Sequence, residues 1–138
     1  MLRLTVSPRF GDLDGLRHVN NAVLPVWFER ARNPLFRLFT PDLDLEKWRL
    51  IMARIEVDFV GQLVYGHDVE IRTWVARIGT TSFTAAHEAW QRGALGAKGR
   101  AVVVHYDFAR STPVPIPPDV RAALAEYMDT PTETRNNP

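Results

Sequence analysis

The sequence contains no cysteine. A disulfide framework, a thiolate metal site and a cysteine nucleophile are therefore excluded for this chain. A metal ion would have to bind histidine and carboxylate side chains alone, yet the four histidines, at positions 18, 67, 87 and 105, show no His-x-x-x-His pairing. We therefore expect neither a structural metal ion nor a cofactor.

Long apolar runs and an excess of one charge are missing as well. No stretch approaches the ~18 apolar residues of a membrane-spanning helix, and the N-terminus lacks the pattern of a secretory signal, so we expect a cytoplasmic protein. The 17 lysines and arginines nearly balance the 16 aspartates and glutamates, and no basic block favours nucleic acid. The hydrophobic content of 46% in 138 residues is typical of a globular protein, with one expected domain over residues 1–128 and a flexible tail over residues 129–138.

Hydrophobic periodicity predicts one strand, one helix and four further long strands. The first strand covers residues 2–10, and apolar residues three and four apart predict a helix from about Asn21 to Phe39. Its expected apolar face consists of Val23, Val26, Trp27, Ala31 and Leu35. Alternating residues then predict strands that each bury one face, at about residues 51–59, 69–75, 83–89 and 101–108. Short turns between them favour antiparallel neighbours.

The ends of the predicted helices carry separate signals. Asn20 and Asn21 are the expected N-caps of the central helix, and Pro25 fits its first turn, where a missing N–H costs no helical bond. Pro34 lies further along and predicts a kink or an early end. After a proline-rich exit from the last strand, Asp119 is expected to cap a short C-terminal helix.

Polar residues are concentrated at the junction between the first strand and the central helix. Asp12, Asp14 and His18 precede two asparagines, Asn20 and Asn21, at the expected helix start. Such residues can simply be turn and capping groups. The free amides of a first helical turn can also bind a negatively charged group, and a nearby carboxylate and imidazole can transfer protons. This junction is therefore the candidate functional site.

Three motifs in this region resemble those of a known family. Phe10-Gly11-Asp12-Leu13-Asp14, His18-Val19-Asn20-Asn21 and Phe28-Glu29-x-Ala31-Arg32 resemble the signature of the 4-hydroxybenzoyl-CoA thioesterase family and its acyl-CoA thioesterase relatives. The resemblance implies the α+β hotdog fold, in which an antiparallel five-stranded sheet wraps around a long central helix. It also implies at least a homodimer, with sheets joined edge to edge and active sites at the subunit boundary, and leaves a homotetramer open.

The resemblance also implies roles for the polar residues. Asp14 matches the family's catalytic aspartate, as nucleophile or as general base, and the Asn21 backbone N–H matches the amide that polarises the thioester carbonyl. His18 and Asn20 would orient Asp14, the water or the thioester. Asp12 is expected instead to hold the loop through backbone N–H groups or an arginine.

Substrate contacts match the family less regularly. Arg17 stands where glycine is common, so that, if a positive φ is required there, the loop must follow a different path. Arg17 could instead bind a phosphate or close the pocket, and Leu24, which stands where tyrosine is common, favours an aliphatic acyl group. The residues predicted to bind substrate are Arg17, Leu24, Trp27, Phe28, Arg77, Thr80, Thr81 and Ser82. For Trp27 and Phe28 a position in the core is the favoured interpretation.

The leading interpretation is an acyl-CoA thioesterase. Some family members hold the CoA phosphates with arginine and lysine where this chain has residues 79–81, so the CoA contacts would depend on other cations: Arg77, Arg92, Lys98 or Arg100. A thioesterase for acyl carrier protein is therefore an alternative. A non-catalytic acyl-CoA-binding hotdog protein is another, favoured if Arg17 ion-pairs with Asp14. A dehydratase that uses His18 with Asp14 is the third.

Overall fold

The computed structural model describes residues 1–128, so the predicted flexible tail lies outside the described residues. Its strands are β1 (Leu2–Val6), β2 (Leu50–Phe59), β3 (Val69–Ile78), β4 (Ser82–Gln91), β5 (Ala94–Asp107) and the short β6 (Thr112–Pro113). The first five form one antiparallel sheet in the order β1-β3-β4-β5-β2, and β6 pairs with β5. Helix α1 (Val23–Phe36) follows β1, and helix α2 (Pro118–Ala125) follows β6. Neither helix of this described part is long and apolar enough to cross a membrane.

The sheet curls around helix α1. The helix residues that become buried are Leu24, Trp27, Phe28, Ala31, Arg32, Leu35 and Phe36. Gly99 in β5 allows the helix to approach closely, because a Cβ there would lie 2.8 Å from a ring carbon of Phe28 and 2.9 Å from the Glu56 carbonyl oxygen. The predicted α+β hotdog architecture, with five antiparallel strands around a central helix, is confirmed.

The start and length of α1 differ from the prediction. The N-cap is Ala22 rather than Asn20 or Asn21, and the Asn20 side chain accepts the Ala22 N–H at 3.0 Å just before the helix. The helix ends at Phe36, earlier than predicted, and the chain continues in turns. Pro34 lies in the last helical turn, in agreement with an early end.

The predicted apolar face of α1 is wrong at one residue, Val26. Val26 is 59% exposed, whereas Leu24 and Phe28 are buried. Because successive residues of a helix are turned by about 100°, Val26 points away from the side on which its neighbour Trp27 is buried. A spacing of three and four residues is compatible with an apolar face that includes Val26 and with one that includes Leu24 and Phe28 instead.

The prediction that β2 buries one face is also wrong. Leu50 is the only buried residue of this strand, and Ile55 is 49% exposed. β2 is the last strand of the sheet, and no other described strand pairs with its outer edge. Its apolar side chains therefore form an open edge, at which the exposed members are Ile51, Met52, Ile55 and Phe59.

Two further boundaries differ from the prediction. β1 ends at Val6, because the chain then leads into a short 3-10 turn (Phe10–Asp12). The N-cap of α2 is Pro117, so that Asp119 lies in the first turn of the helix and is not its cap. A carboxylate in the first turn still interacts favourably with the positive end of the helix dipole.

Candidate active site

The predicted catalytic aspartate lies in a tight loop whose two ends pair as a β-bridge. The Asp14 N–H donates to the His18 carbonyl at 2.8 Å, and the Arg17 N–H donates to the Asp14 carbonyl at 3.1 Å. Arg17 has a φ of 64°, in the left-handed region that glycine adopts most readily. The loop therefore keeps the conformation that a glycine would allow, and the expected change of path is wrong.

Asp12 has the structural role that the sequence predicts. It is 8% exposed, and its carboxylate accepts the Arg9 N–H at 2.7 Å and lies 3.7 Å from the Arg9 guanidinium. Its backbone carbonyl accepts the Asn20 N–H at 2.8 Å. Asp12 thus connects the entry of the loop to the start of helix α1, and its buried polar groups are satisfied.

Asp14 is half-buried and uses only one of its two carboxylate oxygens within the described chain. Oδ1 accepts the Leu16 N–H at 2.8 Å and the His18 N–H at 3.3 Å. Oδ2 has no hydrogen-bond donor within residues 1–128. One oxygen therefore positions the carboxylate, and the other is available to a water molecule or a carbonyl carbon.

The backbone amides at the start of α1 differ in the same way. The N–H groups of Val19, Asn20 and Val23 donate to backbone carbonyls, and that of Ala22 donates to the Asn20 side chain. The Asn21 N–H is the one amide of this run without an acceptor among the described residues. Because it lies at the positive end of helix α1, it is suited to bind an oxyanion.

These groups share one cleft of about 430 Å³, a volume typical of small-molecule sites. Asp14, His18, Asn20 and Asn21 line one wall. The opposite wall consists of residues that the sequence analysis missed: Phe59, Val60, Gly61, Gln62, Leu63, Gly96 and Ala97. Further apolar side chains come from Leu16, Val19 and Leu24. The cleft therefore combines a polar loop with an apolar wall.

Two contacts position the missed wall. Gly96 lies against Leu63, where a Cβ on Gly96 would be 2.6 Å from the Leu63 Cγ. The buried Gln91 donates from Nε2 to the Val64 carbonyl at 2.9 Å and to the His67 carbonyl at 2.8 Å, and its Oε1 accepts the Val64 N–H at 2.9 Å. No sequence spacing marks these residues, because the contacts depend on how the strands pair.

The family model of the Thioesterase-like superfamily matches residues 8–124. The chain belongs to this superfamily. The family predicted from the three motifs and the predicted enzyme class, thioester hydrolase, are therefore confirmed. No match was found among the curated proteins.

Solved structures of thioesterases are similar to this one over most of the chain. A predicted thioesterase from Bacillus stearothermophilus is 45% identical, with a TM-score of 0.90 and coverage of 94% of this chain and 98% of its own. A thioesterase from Thermus thermophilus, complexed with coenzyme A and Zn, is 33% identical, with a TM-score of 0.82 and coverage of 94% and 96%. A thioesterase-superfamily protein from Jannaschia sp. CCS1 is 29% identical, with a TM-score of 0.80 and coverage of 91% and 82%.

The predicted substrate-binding residues of this thioesterase divide between the cleft, the loop and the core. Leu24 lines the cleft. Trp27 and Phe28 are buried in the hydrophobic core and do not line the cleft, which agrees with the favoured interpretation for both. Arg17 is exposed on the loop, and no ion pair joins it to Asp14 within the described chain.

The turn between β3 and β4 lies at the far end of the sheet from the thioesterase cleft. This turn and the strand ends beside it carry the remaining predicted residues: Arg77 in β3, Thr80 and Thr81 in the turn, and Ser82 at the start of β4. Ser82 pairs with Val104 of β5, whereas Ala97 of the same strand lines the cleft, seven residues and roughly 23 Å away. A single chain therefore does not bring these four residues to Asp14.

Two of the cations considered for CoA binding lie on the outer face of the sheet. Lys98 and Arg100 flank Gly99, which packs against α1, so their side chains point to the opposite face. There they line a groove of about 350 Å³ together with Glu56 and Asp58. This groove is separate from the cleft that contains Asp14.

His87 is the histidine whose pKa is most strongly shifted, and it has a structural position. His87 Nδ1 lies 2.9 Å from Thr73 Oγ1, and its ring stacks on Phe28 with centroids 4.9 Å apart. Burial first and the positive charge of Arg32 second lower the pKa of His87 to about 3. Within residues 1–128, no group of three or more histidine and carboxylate side chains is placed to hold a metal ion.

Proposed function

We propose that this thioesterase hydrolyses the thioester bond of an acyl-CoA, with Asp14 as the catalytic carboxylate and the Asn21 N–H as the oxyanion donor. One observation carries the proposal. The same cleft holds a carboxylate oxygen without a donor and a backbone N–H without an acceptor within the described residues. Hydrolysis of a thioester needs a base or nucleophile and a preorganised donor for the developing negative charge.

The reaction begins when the thioester carbonyl oxygen accepts a hydrogen bond from the Asn21 N–H. Asp14 Oδ2 then removes a proton from the water that attacks the carbonyl carbon, or attacks that carbon itself to form an anhydride that water cleaves. In both routes the C–S bond breaks, and the carboxylic acid and free thiol are released. Because a thiolate is a good leaving group, little acid assistance is required.

His18 and Asn20 are positioned to orient the reactants. The Asn20 amide oxygen is occupied by the Ala22 N–H, which leaves its NH2 group available to the thioester or to water. The His18 backbone N–H helps to fix Asp14, while its half-buried imidazole makes no side-chain hydrogen bond within the described chain. Both side chains line the cleft beside Asp14.

The lining of the cleft favours an aliphatic acyl group. Leu24, in the first turn of α1, is buried, lines the cleft and contributes no hydroxyl. Phe59, Val60 and Leu63 supply further apolar surface on the other side. Burial of methylene groups against such side chains stabilises the bound acyl chain through the hydrophobic effect.

The proposal includes a homodimer that pairs two β2 edges. This edge leaves Ile51, Ile55, Phe59 and Val60 exposed in the single chain, and two of the four also line the cleft. Antiparallel pairing about a two-fold axis would bury these side chains and bring the far end of the partner's sheet towards this cleft. The β3–β4 turn would then reach the substrate from the partner. A homotetramer and a cytoplasmic location stay predictions.

The identity of the thiol carrier has two candidates. The relative from Thermus thermophilus that is complexed with coenzyme A favours CoA. The β3–β4 turn favours a carrier protein, because its sequence Gly79-Thr80-Thr81 offers no cation for the CoA phosphates. The non-catalytic alternative lacks its expected feature, since Arg17 does not neutralise Asp14 within the described residues.

The test is the release of free thiol from aliphatic, aromatic and hydroxylated acyl-CoAs and from matched acyl carrier proteins. Release by wild type, lost in Asp14→Asn while acyl-CoA binding persists, is the expected result. If thiol is released only from the acyl carrier proteins, the substrate is an acyl-carrier-protein thioester and not an acyl-CoA. Binding without release by wild type on every thioester would refute hydrolysis.

A further inference from the structure

Arg32 is a buried cation without a partner within the described chain. It is 2% exposed, its Nε is fully enclosed, and its guanidinium makes no hydrogen bond or salt bridge with residues 1–128. A buried charge in this state is strongly unfavourable, so buried arginines normally have acceptors. Only the small exposed fraction of the side chain is open to a group from outside the chain.

The groups next to Arg32 do not supply the acceptor. The Phe36 ring centroid lies 5.8 Å from the guanidinium carbon. His87 on β4 is kept neutral by burial, and its own Nε2 has no partner among the described residues. Burial lowers the pKa of Arg32 and the Glu29 carboxylate raises it, but Glu29 is exposed and forms no ion pair with Arg32 within the chain.

Arg32 lies on the side of α1 that faces the open strand. Phe28, one turn earlier, packs against β5 beside β2. Phe36, one turn later, packs edge-on against Trp48, just before β2, with centroids 5.6 Å apart. The outer edge of β2 has no neighbour in the described chain, so another chain that docks at this edge would lie on the side of α1 that carries Arg32.

A second copy of the chain offers a suitable carboxylate, that of Glu29, on the same side of α1 as Arg32. Glu56 and Asp58 of β2 line the groove on the outer face of the sheet, away from α1. Glu29 is on α1, exposed and three residues from Arg32, and therefore on the same side of the helix. In a two-fold interface the same surfaces meet, so Glu29 of one subunit can face Arg32 of the other.

We propose that Glu29 of each subunit accepts hydrogen bonds from Arg32 of the partner subunit, giving two reciprocal ion pairs across the dimer. The inference rests on the homodimer of the proposed function. It supplies the acceptor that Arg32 lacks and gives Glu29 a specific role in assembly. It also fixes α1 to the partner, and this helix begins two residues after Asn21.

The test combines Glu29→Gln and Arg32→Met chains that carry different tags, and counts homodimers and heterodimers by native mass spectrometry. Each homodimer loses both pairs. The heterodimer keeps one complete pair, because the Arg32 of the first chain meets the Glu29 of the second. We therefore expect the heterodimer to exceed the random ratio about tenfold.

Arg30→Met is the matched control, because Arg30 is exposed on the same helix. Mixed with Glu29→Gln, it should give the random ratio. A random ratio for Glu29→Gln with Arg32→Met would overturn the reciprocal pair, as would failure to recover Arg32→Met even in the presence of Glu29→Gln. A monomeric wild type in the same instrument would instead refute the homodimer itself, so the two failures are distinguishable.

Discussion

The two ends of the sheet differ in how many of their polar groups are already hydrogen-bonded. At the cleft end, the Asn21 N–H and one oxygen of Asp14 have no partner within the described residues. At the far end, three successive carbonyls of the β3–β4 turn are occupied. Gly79 accepts from the Arg121 guanidinium at 2.6 Å, and Thr80 and Thr81 accept from the Ile116 and His105 N–H groups at 2.9 and 2.7 Å.

This difference indicates that the cleft end is suited to catalysis and that the far end has a structural role. Open polar groups next to an apolar wall can exchange protons and stabilise charge, whereas occupied carbonyls can only hold the chain in place. The C-terminal segment closes the far turn, so any substrate contact from that end depends on side chains such as Thr80 and Thr81. Substitutions at the two ends should therefore change different quantities.

The largest expected effect separates two aspartates of the cleft end. Asp14→Asn should lower kcat by about 10³-fold, because it removes the carboxylate, while the amide oxygen still accepts the Leu16 and His18 N–H groups. Asp12→Ala should instead lower the free energy of unfolding by about 1–3 kcal/mol, because it leaves the Arg9 N–H without its acceptor. Thiol release and urea unfolding of both variants measure the contrast. A large stability loss in Asp14→Asn would make its role structural.

The next largest effect is expected at Gly96, which packs against the cleft wall, with Gly15 of the polar loop as its control. Gly96→Ala should cost about 1–3 kcal/mol and raise KM, because the new Cβ collides with Leu63 in the cleft wall. Gly15→Ala is the control, since a Cβ added there would meet nothing within 4 Å. Urea unfolding and kinetics check both. Adding Leu63→Ala to Gly96→Ala should lower the KM part of the way back towards the wild-type value. An unchanged KM in both the single and the double variant would exclude this wall from the substrate site.

The sequence predicted the polar loop because its residues are local. Asp14, His18, Asn20 and Asn21 lie within eight residues, and one tight loop and one helix start suffice to bring them together. The opposite wall could not be predicted in this way. Its apposition depends on the β2–β5 register, which no single segment contains.

Burial was harder to predict than secondary structure for a related reason. Alternation in β2 indicates a strand with an apolar face, but it does not indicate what covers that face. Likewise, the arginine at position 17 predicted a loop path different from that of a glycine, yet Arg17 adopts a φ of 64°. The backbone hydrogen bonds of the loop, which offset the cost of this φ for arginine, cannot be read from the sequence.

The core between the two ends should respond to pH through stability alone. Unfolded His87 binds a proton below its ordinary pKa of 6.5, whereas in the folded protein its pKa is about 3. The unfolded state therefore binds more protons between these values, and stability falls as the pH is lowered from 6.5 towards 3, by about 2 kcal/mol at pH 5. His87→Gln should lose this part of the difference between urea unfolding at pH 7.5 and pH 5. The exposed His67→Gln should keep it, and equal behaviour of the two variants would contradict the assignment.

The smallest expected effect is at Arg17, the residue of the polar loop with a positive φ, and it tests whether this side chain binds the substrate. Arg17→Gly should raise the free energy of unfolding by about 1 kcal/mol, because glycine adopts a φ of 64° without steric cost. If the guanidinium binds the substrate phosphates, the same variant should raise KM for acyl-CoA. Arg17→Ala is the control, since it removes the guanidinium but keeps the strain, and it should raise KM without stabilising. A stabilised Arg17→Gly with unchanged KM would assign Arg17 no part in substrate binding and would place all recognition at this end in the cleft itself.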